Sequence, residues 1–112
     1  MADTPLQIQV DDAVATISLC NPSKRNPIGT ETARALVDAL RQLERHDSVR
    51  VIVVTGAGGS FSAGGDLDEF LRTIDSGAVA LWDTGQPWQD LYEVLPSLAK
   101  PVIARVDGPA MA

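Results

Sequence analysis

The sequence predicts an α/β protein, and three observations carry that expectation. Val49-Arg50-Val51-Ile52-Val53-Val54 is a run dominated by β-branched apolar residues, the pattern of a parallel-sheet strand buried on both faces. A glycine-dense turn follows it directly, Gly56-Ala57-Gly58-Gly59-Ser60-Phe61-Ser62-Ala63-Gly64-Gly65-Asp66-Leu67. Around this pair the periodicities alternate in the order strand, strand, helix, strand, helix, helix, strand, an α/β arrangement.

Each element has its own justification. Leu6, Ile8 and Val10 alternate with Gln7 and Gln9, as in a half-buried strand. Asp11-Asp12 supplies a turn, and Ala13 to Leu19 returns as the hairpin partner. Thr30 is placed to N-cap a helix running to about Arg45. Its Ala33, Leu36, Leu40 and Leu43 share one face, while Arg34, Asp38, Arg41 and Glu44 fall elsewhere, so the stripe reads as core packing. A second helix is expected from about Asp66 through Thr73, breaking before Gly77. Gln86-Pro87 then precedes a third, Trp88 to Leu98, and Pro101 starts a last strand through Val106. No internal repeat and no low-complexity tract interrupts this order.

Ligands of open α/β sheets bind at the carboxyl ends of the strands, which directs attention to the turn after Val54. Glycines there bring bare backbone N–H groups close to a ligand. A dinucleotide-binding G-x-G-x-x-G from Gly56 requires glycine at position 61 and meets Phe61. A phosphate-cradling G-x-x-x-x-G-K-[ST] from Gly59 has Gly64 in register but meets Gly65 where lysine belongs. The third reading uses Phe61-Ser62-Ala63-Gly64-Gly65-Asp66-Leu67, a small-residue turn opening onto a helix with Asp66 at its N-terminus. Backbone donors so placed can stabilise a developing oxyanion with no catalytic side chain in the motif. The competing reading is a tight loop whose glycines serve geometry alone.

Composition narrows the classes. The chain is 45% apolar and 21% charged, ordinary values for a globular domain and far from those of a disordered chain. A net charge of −6, with Lys24-Arg25 as an isolated adjacent basic pair, argues against nucleic-acid binding. No apolar run reaches transmembrane length, and Met1 to Pro5 lacks the regions of a secretory signal, so no membrane association is expected. Cys20 is the single cysteine; it reads as a small core residue in a reducing, cytoplasmic compartment. His46, beside Asp47, reads as an exposed helix-end residue, favoured there by the helix dipole. Asp66, Asp68 and Glu69 read as acidic residues of a helix start; without histidine or cysteine nearby they imply no metal site. Trp82, Trp88 and Tyr92 either line an acyl pocket or are ordinary packing aromatics, and Lys100 reads as a surface residue.

Three segments in order carry a further inference. Asn21-Pro22-Ser23-Lys24-Arg25-Asn26-Pro27-Ile28 precedes the first helix, and the glycine-rich turn follows the next strand. Lys100-Pro101-Val102-Ile103-Ala104-Arg105-Val106-Asp107-Gly108-Pro109-Ala110-Met111-Ala112 closes the chain. Together they resemble the enoyl-CoA hydratase/isomerase (crotonase) superfamily from about Leu6 to Ala112, most weakly between Leu71 and Leu95. The resemblance implies a crotonase-like spiral of ββα units, with residues 1–112 forming the amino-terminal part of its core domain. It implies an acyl-CoA-binding enzyme of the hydratase/isomerase type, a lyase or isomerase of fatty acid metabolism. The coenzyme A thioester is then the substrate, with no separate cofactor, and the complete protein a homotrimer or hexamer.

Residue by residue, the resemblance implies that Lys24 or Arg25 meets the phosphates of coenzyme A and that the Ala63 backbone contacts its adenine end. Gly65 takes the position whose N–H forms half of the oxyanion hole, flanked by Gly64, Asp66 and Leu67. The second donor and the acidic residues that choose the reaction are expected beyond Ala112, and Asp107 stands where relatives commonly carry asparagine. Residues 1–112 are accordingly expected to be a segment that is unstable and inactive alone. A non-catalytic crotonase-fold oligomerisation or interaction module is the alternative.

Overall fold

The structure, a computed structural model, describes residues 5–111. Strands β1 (Leu6–Asp11) and β2 (Val14–Leu19) form an antiparallel hairpin, with Asp12 in the left-handed region (φ 54°) at its turn. A 3-10 turn over Pro22–Lys24 and the two-residue strand β3 (Pro27–Ile28) lead into helix α1 (Thr30–Glu44). There follow β4 (Val51–Gly56), the short β5 (Gly64–Gly65), α2 (Leu67–Ile74), α3 (Ala78–Ser97) and β6 (Val102–Ala104).

The larger sheet has the order β1-β2-β4-β6, with β4 parallel to both neighbours, as its β-branched sequence predicts. Register decides which face is covered. Ala15 lies beside Ile52 and Ile17 beside Val54, so these four share a face. Helices α1 and α3 pack there through Leu36, Leu40, Leu43, Leu91 and Val94, and Ala15, Ile17 and Ile52 are fully buried. The predicted α1 stripe of Ala33, Leu36, Leu40 and Leu43 is buried throughout.

Several expectations are corrected. On β1 only Leu6 is buried, in the core with α1; Ile8 and Val10 are 47% and 44% exposed, because β1 is an edge strand whose far half the helices leave uncovered. Strand β4 is only partly buried on its two faces: Ile52 on one and Thr55 on the other are buried, whereas Val51, Val53 and Val54 are partly buried. Thr30 is the first residue of α1 rather than its N-cap, which is Gly29. The third helix starts at Ala78, not Trp88, and Pro87 lies inside it. Gly85 and Pro87 conceal that first half from a propensity reading; Pro87 is itself buried, and Leu91 and Val94 anchor the second half of the helix in the core. Strand β6 ends at Ala104, short of Val106. Lys100 is not simply a surface residue. Its Nζ donates to the carbonyls of Leu43 (2.8 Å) and His46 (2.7 Å), supplying a cation where the α1 carbonyls end.

Candidate functional site: a pinned glycine turn

Strand β4 delivers its carboxyl end at Gly56, and the segment that follows is held by one buried side chain. Asn26 is 1% exposed. Its Nδ2 donates to the carbonyls of Ala57 (2.9 Å) and Ser60 (3.0 Å), and its Oδ1 accepts from the N–H of Asn21 (2.8 Å). The Asn26 N–H returns to the Asn21 carbonyl at 2.9 Å, so the five-residue spacing of the two asparagines closes a compact loop. Arg25 and Asn26 take φ of 62° and 56° within it, a region asparagine tolerates better than most residues. Asn26 was not among the residues singled out from the sequence. Its signal was the N-P-x-x-x-N spacing.

A second pin lies at Ser62, buried and bonded on both sides. Its Oγ donates to the Asn26 carbonyl (2.8 Å) and accepts from the N–H of Gly64 (3.0 Å). The Ala63 N–H donates to the Arg25 carbonyl at 2.7 Å. Gly64 then takes φ 85°, a conformation that favours glycine. The chain leaves as β5, parallel to β3, with Gly64 beside Pro27 and Gly65 beside Ile28. Gly65 is exposed, and a Cβ built there would meet nothing within 4 Å. Immediately after it Asp66 caps α2, its Oδ1 accepting from the Glu69 N–H at 3.2 Å, as the sequence predicts.

Two cavities open at this point. One of about 360 Å³ joins Gly65 and Asp66 to apolar side chains of Leu67, Phe70, Leu81 and Trp88. The other, about 340 Å³, joins Ala63, Gly65, Asp66 and Leu67 to Lys24. The fold therefore brings Lys24 to the residues around Gly65, whereas the exposed Arg25 side chain lines neither cavity. Gly64 is buried behind them, held by Ser62. Trp88 lines the apolar cavity and stacks tilted against Tyr92, ring centroids 6.0 Å apart; Trp82 is 71% exposed and lies outside it.

The closing segment comes back to the same turn. Phe61 and Ser62 donate to the Pro109 carbonyl (2.9 and 3.3 Å), and Met111 donates to the Ser62 carbonyl (2.9 Å). Gly108 packs so closely on the Gly59 carbonyl that a Cβ there would collide with it. His46 is exposed, its Nδ1 2.9 Å from Ser48 Oγ, and remote from the cavities. Among the described residues no group of three His, Cys, Asp or Glu side chains is gathered as metal ligands, and no helix is long and apolar enough to cross a membrane.

A mixed sheet whose parallel strand β4 feeds a glycine turn opening onto a capped helix defines an α/β scaffold, and comparison with known proteins narrows the class. Residues 9–112 match the family model of enoyl-CoA hydratase/isomerase, and the chain belongs to that family. It is 35% identical over 107 residues to hydroxycinnamoyl-CoA hydratase-lyase of Pseudomonas fluorescens, covering 92% of this chain and 38% of that one. It is 36% identical over 105 residues to 1,2-epoxyphenylacetyl-CoA isomerase of Escherichia coli, covering 90% and 39%. The crystal structure of an enoyl-CoA hydratase from Polaromonas sp. superposes with a TM-score of 0.87 at 27% identity, covering 92% and 40%. The chain thus corresponds to the amino-terminal part of a crotonase fold and spans about two-fifths of the length of these relatives.

Proposed function

We propose that the complete protein binds an acyl-CoA thioester and stabilises the enolate that forms from it, with the Gly65 N–H as one of the backbone donors to the thioester oxygen. One observation carries this reading. Gly65 is exposed at the junction of an apolar cavity and a cavity lined by Lys24, in a backbone held by Ser62 and Asn26. In that arrangement the acyl group occupies the apolar side, against Phe70, Leu81 and Trp88, and the anionic cofactor moiety extends toward Lys24. Ala63, Asp66 and Leu67 form the shared wall between them, and Gly64 is the buried hinge that aims Gly65. The positive end of α2 begins one residue later and favours negative charge on the substrate oxygen. A donor preorganised in this way needs no reorganisation as charge develops.

The reading is supported by family membership and by relatives named for reactions of CoA esters. It leaves the choice between hydration, isomerisation and C–C cleavage to side chains other than those of residues 5–111. A homotrimeric or hexameric assembly and a cytoplasmic location remain part of the proposal. No cofactor besides the coenzyme A thioester is required for enolate stabilisation.

The test is a pair of substitutions at one position in the complete protein. Gly65→Pro removes the N–H and is expected to lower turnover by about 10²–10³-fold, the usual cost of one oxyanion donor. Gly65→Ala keeps the N–H, needs no left-handed backbone and has open space for its methyl group, so it is expected to stay within about threefold of the parent. A folded Gly65→Pro protein with parental turnover on its acyl-CoA sinks the reading. Failure of calorimetry to detect any acyl-CoA binding by the complete protein would favour a non-catalytic interaction module instead.

A further inference from the structure

Helix α1 has no side-chain cap of its own. Its N-cap is Gly29, and the first free N–H, that of Thr30, is bonded instead by a carboxylate from another helix. Glu69 of α2 accepts from the Thr30 N–H through Oε2 at 2.9 Å and Oε1 at 3.2 Å. The same residue is tied into the α2 start, its N–H donating to Asp66 Oδ1 (3.2 Å) and its carbonyl accepting from Thr73 Oγ1 (2.8 Å). It also lines the apolar cavity with Gly65.

Gly29 adds an independent observation. Its backbone is extended (φ −88°, ψ −172°), a conformation open to any residue. Space, rather than backbone freedom, explains the glycine. A Cβ at this position would lie 2.9 Å from Glu69 Oε2 and 3.5 Å from the Asp66 Cβ. The missing side chain of Gly29 leaves room for the Glu69 carboxylate, which would have to shift slightly for a methyl group there.

The consequence reaches Gly65. The segment Pro27–Thr30 runs alongside Gly64–Glu69 and is joined to it twice, by the β3–β5 pairing at one end and by the Glu69–Thr30 bond at the other. Gly65, paired with Ile28, is the last residue of the first join, and Asp66 to Asp68 lie between it and the second. Helix α2 has no buried residue, so this polar join adds to the shallow contacts that α2 makes with α3.

We propose that Glu69 is a positioning residue for the Gly65 donor, holding the first turn of α2 against the N-terminus of α1 so that the Gly65 N–H keeps its aim. The proposal rests on the oxyanion role of Gly65 argued above. A donor displaced by about 1 Å can cost about 10²-fold in rate. Glu69→Ala in the complete protein is therefore expected to lower kcat by about 10- to 100-fold with KM changed by less than about threefold.

Gly29→Ala leaves Glu69 in the sequence and obliges only the flexible end of its side chain to shift, so it is expected to lower kcat by a smaller factor than Glu69→Ala. In the double variant the two losses should not multiply, because both act on one contact. Glu69→Gln retains an oxygen acceptor for the Thr30 N–H and is expected to recover most of kcat. The infrared carbonyl stretch of a bound, unreactive acyl-CoA thioester should move toward its solution value in Glu69→Ala and stay near the parental position in Glu69→Gln.

A merely structural role predicts lower melting temperatures with kcat per folded enzyme and the carbonyl stretch unchanged, and that result would overturn the proposal. Should Glu69→Ala fail to fold, Glu69→Met, which fills similar space without an acceptor for the Thr30 N–H, decides instead: parental kcat there overturns it. Gly65→Pro is the reference. If it abolishes turnover while Gly29→Ala and Glu69→Ala do not lower it, the Glu69 role fails and the oxyanion reading stands. If Gly65→Pro itself keeps parental turnover, both fall.

Discussion

The glycine turn and the α2–α3 region meet at the same cavities but are built on opposite principles. Between Ala57 and Gly64 the backbone is fixed by polar contacts from two buried side chains, Asn26 and Ser62. From Leu67 to Trp82 apolar residues face outward: Leu67 is 74% exposed, Leu71 62%, Val79 76% and Trp82 71%. Polar pinning fixes directions, because a hydrogen bond fails steeply with angle, whereas apolar contact fixes only proximity. A backbone donor that must be aimed belongs on the first kind of structure. A surface that only has to hold apolar groups near one another belongs on the second.

If this contrast is right, the largest effects on stability arise inside the pinned turn. Asn26→Ala orphans the Ala57 and Ser60 carbonyls and the Asn21 N–H at once and puts alanine at φ 56°. A loss of about 2–4 kcal/mol is expected in denaturant unfolding of the complete protein, from unpaired, partly buried groups and backbone strain together. Asn26→Asp is the sharper variant. It keeps the volume and the acceptor for Asn21 but turns an oxygen toward two carbonyl oxygens. It should be at least as damaging as alanine; an aspartate variant of parental stability would mean that the side chain acts by shape and not by donation.

Ser62→Ala comes next. It removes one acceptor from Gly64 and one donor from the Asn26 carbonyl, both buried, for an expected loss of about 1–3 kcal/mol. Because the Gly64 N–H is freed, turnover should fall as well. A variant that loses stability but keeps full turnover would separate the fold of the turn from the aim of Gly65 and blunt the contrast.

Lys24→Ala touches the rim rather than the pins. The side chain is exposed beside the cavity that holds Ala63 and Gly65, so its charge acts through solvent. An exposed charge contact is worth about 1 kcal/mol or less, so the acyl-CoA Kd should rise by up to about fivefold with kcat unchanged. The effect should shrink in high salt. Arg25→Ala, whose side chain lines neither cavity, should do less to Kd; the reverse ranking would put the phosphates on the other side of the loop.

How far the two regions could be read beforehand follows the same divide. The α1 stripe, the β1–β2 hairpin and the glycine turn with its Asp66 cap were legible because their signals are local: period, turn chemistry and a capping residue. Asn26 reaches carbonyls 31 and 34 residues away, and no pattern within a short window encodes those partners. Strands β3 and β5 are two residues each, too short for any periodicity and in one case all glycine. The first half of α3 was hidden because Gly85 and Pro87 argue locally against a helix whose buried residues, Pro87, Leu91 and Val94, all lie from its middle onward. Lys100 and Glu69 cap the two ends of α1 from distant elements, so neither role is visible in the sequence of α1 itself.

The smallest expected effect tests the exposed half. Trp82 and Trp88 lie six residues apart on α3, yet Trp88 packs on the core and stacks with Tyr92 while Trp82 stands 71% exposed. Trp88→Ala should cost about 1–3 kcal/mol through lost packing, given that the ring is only partly buried. Trp82→Ala should stay within about 0.5 kcal/mol of the parent, as surface substitutions usually do. Both values are read from urea unfolding with tryptophan fluorescence backed by circular dichroism, since each variant removes one of the two fluorophores. If Trp82→Ala instead costs more than about 2 kcal/mol, a residue open in this chain is buried in the complete protein, by further chain or by another subunit. The outward apolar surface would then be an interface rather than an adaptable wall. The contrast with the pinned turn would survive only on the cavity side of α2 and α3, where Phe70, Leu81 and Trp88 face Gly65.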